Sequence, residues 1–416
     1  MQSKQKIARR IRALVENPAV LAAEEARGRS ALRRAVEGST EVPAAHVLIA
    51  PPGAGNIGDQ AMVEAFIASV SGPVVVVTRR PGDVQALPSE LAARTTEVAL
   101  PGLLYGLPWQ HVRDLRALAP QLVRARSLSV VGADIMDGAY WESPSVRRFR
   151  LARFAAELGI DARVLGFSWN TSPTAASRKA MVQASRSLDL LGRDPVSVRR
   201  LRADGGERIV PVADIALLTE PRPLSDTALE QWCSAQRAAG RRIVLLNANG
   251  LIEAASGMVD TYLELFASPA AADCAFVALP HVSRGTPSDV DLVDRLVERA
   301  NAGDRLFAVR RLLPPGEIAS LAALADLAVT GRMHLAILST SVGTPGVTVG
   351  YQGKVSGFYE LLGTTTHIDG GATAREGLLS LVESSLDALP ELTESVRAAR
   401  ASVIELARRN VAGLSD

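Results

Sequence analysis

The chain has 416 residues and a formal charge of +2, a balance that argues against non-specific nucleic-acid binding as its main task. With 47% hydrophobic and only 4% aromatic residues, and no uncharged apolar run near the ~20 residues a membrane helix needs, it reads as a soluble globular chain. Its length calls for two domains, and Cys233 and Cys274, the only cysteines, offer neither a disulfide framework nor a zinc set.

Residues 1–40 read as a helical arm, with Ile7, Ile11, Leu14 and Val15 on one side and Arg9, Arg10 and Arg12 largely on the other. The arm is expected to pack on its own domain. The other reading is a surface helix drawn to anionic lipid. The basic start has no long apolar segment behind it before Glu24, so no signal peptide is expected. The protein reads as cytoplasmic, with peripheral contact at the inner face of the membrane left open. From 41 to 220, apolar runs at 46–50, 74–78, 127–131, 162–167, 188–191 and 209–212 read as strands separated by helices. That alternation implies parallel βαβ units. The polar, proline-containing stretch 219–225 reads as a linker. From 221 to 371 the pattern returns, with strands at 242–247, 274–279, 305–309, 327–330 and 346–349, and residues 372–416 read as terminal helices. The expected fold is α/β: two doubly wound Rossmann-like domains facing a cleft, with ligands beyond the carboxyl ends of the strands.

The informative motifs fall at those strand ends. GAGNIGD at 53–59 follows the first strand and opens a helix. Its glycines permit close backbone approach to a ligand, and Asn56 and Asp59 suit sugar hydroxyls; equally, Asp59 can cap the helix. VGADIMDG at 131–138 carries Asp134 and Asp137, which can orient hydroxyls, act as a base, or cap a turn. GFSWNTS at 166–172 offers Trp169 and Asn170 to a sugar face, or Trp169 to packing. Arg193 and Asp194 follow the next strand, either as a clamp for an anion or as a surface pair. TGRMH at 330–334 puts Arg332 and His334 where a strand turns into a helix. Residues two apart do not share a helix face, so both face one ligand only if Arg332 sits at the cap. Only four of the 46 basic residues are lysines, and one of them, Lys354, stands in a YQGK loop, where a compact ammonium does what a guanidinium does not. Arg332, His334 and Lys354 together read as a site for a small, multiply charged anion.

Together, GNIGD at 55–59, RDxxS at 193–197, GRMH at 331–334 and YxxK at 351–354 resemble the polysaccharide pyruvyl transferase family, over residues 45–365 or so. Such enzymes resemble glycosyltransferases of the GT-B type. The resemblance implies a transferase that moves the pyruvyl carbons of phosphoenolpyruvate onto two hydroxyls of a sugar as a ketal and releases phosphate. It further implies that Arg193, Arg332, His334 and Lys354 hold this donor, with His334, Arg332 and Lys354 serving the chemistry. The amino-terminal domain, with Asn56, Asp59, Asp134, Asp137, Trp169 and Asn170, would hold the sugar or glycan acceptor, lipid-linked or free. No metal or cofactor is expected beyond the donor substrate, and an oligomer is left open. The chain departs from the family pattern at Val-Gly-Ala-Asp after the third strand and at Gly-Phe-Ser-Trp-Asn, both on the acceptor side. Two other readings stand beside this one. One is a sugar-nucleotide glycosyltransferase, against which no carboxylate for a ribose precedes Glu360 in the last strand's loop. The other is a non-catalytic protein that binds an anionic sugar.

Overall fold

Residues 74–78 are buried at every position, and so are 274–278, 327–330 and 346–350. Strands with no face left for water need a cover on both sides, and a parallel sheet between helices provides it. A computed structural model describes residues 17–36, 44–350 and 355–414. The first sheet comprises β1 (Ala45–Ile49), β2 (Val74–Thr78), β3 (Thr95–Ala99), β4 (Ala125–Ala133), β5 (Asp161–Phe167), β6 (Asp189–Gly192) and β7 (Ile209–Pro211). The second comprises β8 (Arg242–Asn247), β9 (Cys274–Ala278), β10 (Leu306–Ala308), β11 (Leu327–Thr330), β12 (Gly346–Gly350) and β13 (His367–Asp369).

The strand orders are β3-β2-β1-β4-β5-β6-β7 and β10-β9-β8-β11-β12-β13, and every pairing is parallel. In each sheet the chain first runs to one side and then returns to build the other. The reversals lie between β1 and β4 and between β8 and β11, the points where open α/β sheets hold ligands. Three hydrophobic clusters follow. One covers a face of the first sheet, around Leu128, Phe149 and Phe167. A second covers a face of the second sheet, around Leu246, Tyr262 and Phe276. The third runs without a break across both domains, from Phe66 and Leu165 to Leu245, Leu321 and Leu338.

Within that shared cluster lie two helices, Ile57–Ser69 and Met333–Ser341. Residues 57–67 are all buried, as are 335–341. Helices buried nearly all round, polar residues such as Gln60, Glu64 and Thr340 included, sit in an interior, and here that interior is the seam between the domains.

The described part of the arm, Pro18–Val36, packs on the first domain through Leu32 and through Gly28 against Leu115. Its Glu24 pairs with the buried Arg147 at 2.6 Å. The residues that define the arm's two proposed faces, Ile7 to Val15, lie outside the described residues. At the other terminus, Leu389–Arg408 returns to the first domain, where the Asn410 side chain accepts from Gly166 N (2.7 Å) and donates to Ala213 O (2.9 Å). Among the described residues no helix is long and apolar enough to cross a membrane.

Candidate active site

The two reversal points open onto one cavity of about 140 Å³. Asn56, Asp59 and Asp134 reach it from β1 and β4, Asn249, His281, Arg332 and His334 from the second sheet, and Arg193 from β6. Two helices begin beside it, at Ile57 and Met333, and their dipoles favour an anion.

The glycines of 53–59 are used on protein, not held open for a ligand. A Cβ on Gly53 would stand 2.3 Å from Asp83 O, and one on Gly55, at φ +77°, 2.4 Å from Ser283 Oγ. Gly55 O accepts from Ser283 N (2.9 Å) and His281 O accepts from Ile57 N (3.1 Å), so this loop is stitched across the cleft to the second domain. Asn56 caps the helix through Gly58 N (3.0 Å). A Cβ on Gly58 would lie 2.3 Å from His334 Nδ1 and 2.4 Å from Cγ. Gly58→Ala should therefore push the His334 ring aside. Alanine favours a helix over glycine by ~1 kcal/mol, so stability should change little. Turnover should fall about a hundredfold, as a misplacement near 1 Å can cost. A folded Gly58→Ala with unaltered turnover would show that the ring's position does not matter.

Arg332 is the N-cap residue of its helix, with extended backbone (φ −119°, ψ 110°). That geometry lets it share a ligand with His334. Its fork closes on Asp289 (Nη2–Oδ1 2.8 Å, Nε–Oδ2 3.2 Å), whose carboxylate is fully buried. Asp289 also accepts from the main-chain N of His281 (3.2 Å) and Val282 (3.0 Å) and from the Asn247 amide (3.2 Å). The reading of Arg193 and Asp194 as a surface pair is corrected: both are buried. Arg193 instead donates to Asp214 (2.7 Å) and Ser168 (2.8 Å), while Asp194 caps the next helix through Ser197 N (2.7 Å). Asp214 also stands 3.7 Å from His334 Nε2. Burial holds the His334 imidazole below its usual pKa; Asp214 opposes this and Arg193 adds to it.

Asp59 caps no helix; its carboxylate faces the cavity and Arg284 of the second domain (3.4 Å). Burial pushes its pKa up to about 7, against the pull of Arg284. Between the ordinary 3.8 and that value the folded protein keeps a proton that the unfolded chain has shed. Stability should therefore fall as pH rises through this window, and the loss is complete above it. Asn cannot ionise, so Asp59→Asn should gain melting temperature over wild type at about pH 8 and little at about pH 4. Equal differences at both would mean that Asp59 ionises normally.

Other expected residues lie elsewhere. Trp169 is fully buried between Phe149 and Phe167, and its indole N–H donates to Asp204 (2.7 Å), so it offers no face to a sugar. Asn170 and Asp137 bond each other, and Asp137 accepts from Ala139 N (2.9 Å); this is a turn, and the buried Asp137 does not line the cavity. Asp134 does line it, and accepts from Tyr140 Oη (3.2 Å). Where the family pattern has a glycine cluster, Ala133 stands at φ +48°, a conformation that glycine adopts without strain. Lys354 lies outside the described residues; Val349 and Val355, on either side of that loop, line the cavity. Asp214, Asn249, His281, Arg284 and Asp289 were not singled out by the motifs. Asn249 and His281 carried one usable signal, a polar residue two or three positions past the end of a strand.

Two parallel-sheet α/β domains whose carboxyl ends share a cleft define a GT-B-type fold. Solved structures of this kind are similar over most of their length. They include the Anabaena protein Alr3699/HepE in complex with UDP-glucose (TM-score 0.56, 12% identity, 88% of this chain and 98% of that one). Others are the S. aureus protein MnaA with UDP (0.59, 11%, 88% and 94%) and the UDP-GlcNAc 2-epimerase of Methanocaldococcus jannaschii (0.54, 12%, 86% and 99%). At such identities the likeness is one of fold. Within that class the chain belongs to the polysaccharide pyruvyl transferase family, whose signature matches residues 56–353. It is therefore read as a transferase. No curated protein matches it in sequence.

Proposed function

We propose that this protein transfers the pyruvyl group of phosphoenolpyruvate to two hydroxyls of a sugar or glycan, forming a ketal and releasing phosphate, in the synthesis of a cell-surface glycan or glycolipid. One observation carries the reading: Arg193, Arg332 and His334 converge on a cavity of about 140 Å³ between two helix N-termini. That volume falls short of the ~300 Å³ and more that drug-sized ligands occupy. It suits a compact anion with a carboxylate and a phosphate. Arg332 and Arg193 are already paired with Asp289 and Asp214; the N–H groups those pairs leave over would meet such charge with charge-assisted bonds, and Lys354 is expected to add to them.

In this mechanism His334, as imidazolium, gives a proton to the methylene carbon, and C2 becomes electrophilic. One sugar hydroxyl attacks C2. The second then displaces phosphate, which leaves with the C–O electron pair; the second hydroxyl's proton returns to His334, and the proton taken from the first goes on to the phosphate. Asp59, with a pKa near 7, is poised to take a hydroxyl proton at neutral pH. The arginines stabilise the departing phosphate.

A sugar-nucleotide transferase is the second reading, favoured by the UDP and UDP-glucose bound to structural neighbours. Against it, the chain past β12 carries no carboxylate before Glu360. Thermal shift of the wild-type protein separates the two, since a ligand of the native state raises the melting temperature with its concentration. A rise with phosphoenolpyruvate is expected, followed by phosphate release when an acceptor sugar is supplied. A rise with UDP- or GDP-sugars alone would replace this proposal with the second reading.

A further inference from the structure

His281 stands three residues past β9, held by its main chain from both domains. Its N–H donates to Asp289 (3.2 Å) and its carbonyl accepts from Ile57 (3.1 Å). Val282, next in the chain, bridges Asn56. The residue is 1% exposed. Neither Nδ1 nor Nε2 has a hydrogen-bond partner.

The other two buried histidines each have one ring nitrogen met, although His46 Nε2 is left without a partner. His46 Nδ1 meets Ser127 Oγ at 2.8 Å, and His111 Nδ1 meets Leu103 O at 2.5 Å. A neutral imidazole carries one donor and one acceptor, and leaving both unmet in a dry interior is costly enough that native proteins seldom do it. The cavity bordered by His281 also contains His334, whose Nε2 has no hydrogen bond but stands 3.7 Å from Asp214, beside Arg193 and Arg332.

We propose that His281 binds the substrate directly: its uncharged ring gives an N–H to an oxygen of the small carboxylate–phosphate donor. The inference rests on the donor reading above. A neutral ring is the form this place enforces. Burial drives its pKa well below the usual imidazole value, and His334 and Arg332 push it the same way. His281 thus adds a directed hydrogen bond without adding a positive charge, while His334 remains the ring that takes up a proton.

The test starts from wild-type protein with ¹⁵N-labelled histidine, in which His281→Asn assigns one of only five histidines. Phosphoenolpyruvate affinity is measured alongside for wild type, His281→Phe and His281→Asn. The ring nitrogens of His281 should report a neutral imidazole, and one should shift on adding phosphoenolpyruvate. His281→Phe should bind the donor at least about tenfold more weakly, the loss of one hydrogen bond to a charged group, with its ligand-free melting temperature undiminished. His281→Asn, which restores an N–H, should recover part of the affinity. If no variant folds, wild type at saturating donor in which no more than one of the five histidines shifts its ring nitrogens, the one expected of His334, would overturn the proposal. So would a folded His281→Phe that binds as wild type does. Wild type that does not bind phosphoenolpyruvate overturns the donor reading itself, and this inference with it.

Discussion

His334→Gln should bind phosphoenolpyruvate almost as tightly as wild type and turn over about 10²–10⁴-fold more slowly, the usual worth of a general acid. Glutamine keeps a polar N–H at the cavity but has no proton to give. The loss should appear equally in kcat and kcat/KM, as for an interaction made only in the transition state. The pH dependence sharpens the test. An acid must be protonated to act, so the rate falls as pH rises through its pKa. In the free protein burial holds that pKa low, with Arg193 beside it and Asp214 opposing. A bound dianion favours imidazolium and raises it. The fall in kcat should therefore come at a higher pH than the fall in kcat/KM, and both should vanish in His334→Gln. Turnover within about tenfold of wild type would remove His334 from the chemistry.

How much of this is legible in the sequence depends on how far each feature reaches. Strands buried on both faces write themselves as unbroken apolar runs, and the runs at 74–78, 242–247 and 327–330 coincide with β2, β8 and β11. The edge strands β3 (Thr-Thr-Glu-Val-Ala) and β13 (His-Ile-Asp) are half-exposed and polar, so no run betrays them. Arg332 at the cap is a local fact, set by Thr330 and Gly331 beside it. Its partner Asp289 lies 43 residues away, and Arg193 and Asp214 are 21 apart. Spacing along the chain cannot supply such pairings, which arise where two reversal points face each other. Trp169 shows the same limit from the other side. The text after β5 is polar and looks like an exposed loop, yet that loop folds inward and Asp204, 35 residues on, accepts its indole proton. Gly58 looks like room left for a ligand, and only the tertiary structure reveals His334 lying against it.

Asp289→Ala should be among the most destabilising single changes in the second domain. Asp289 is a fully buried carboxylate that neutralises Arg332, itself only 15% exposed, and accepts from His281 N, Val282 N and the Asn247 amide. Breaking a buried pair by removing one partner typically costs ~3–5 kcal/mol, because the other charge stays behind unpaired. The loop 281–283 is also the strip that pairs with 55–57 across the cleft. Its release should loosen the seat of His334 as well as that of Arg332, so donor affinity should fall with stability. A second substitution tells which loss dominates. If the stranded guanidinium is the larger part, Asp289→Ala with Arg332→Met should be more stable than Asp289→Ala alone, since two apolar side chains replace an ion pair at little net cost. If the double variant melts no higher than the single one, the main-chain N–H groups of 281 and 282 carry the energy. Asp289→Asn, which still accepts from them but bears no charge, should then restore stability. Donor binding should stay weak in Asp289→Ala, where the 281–283 loop is released, and in the double variant, where the guanidinium is gone; Asp289→Asn, which keeps both, should recover it.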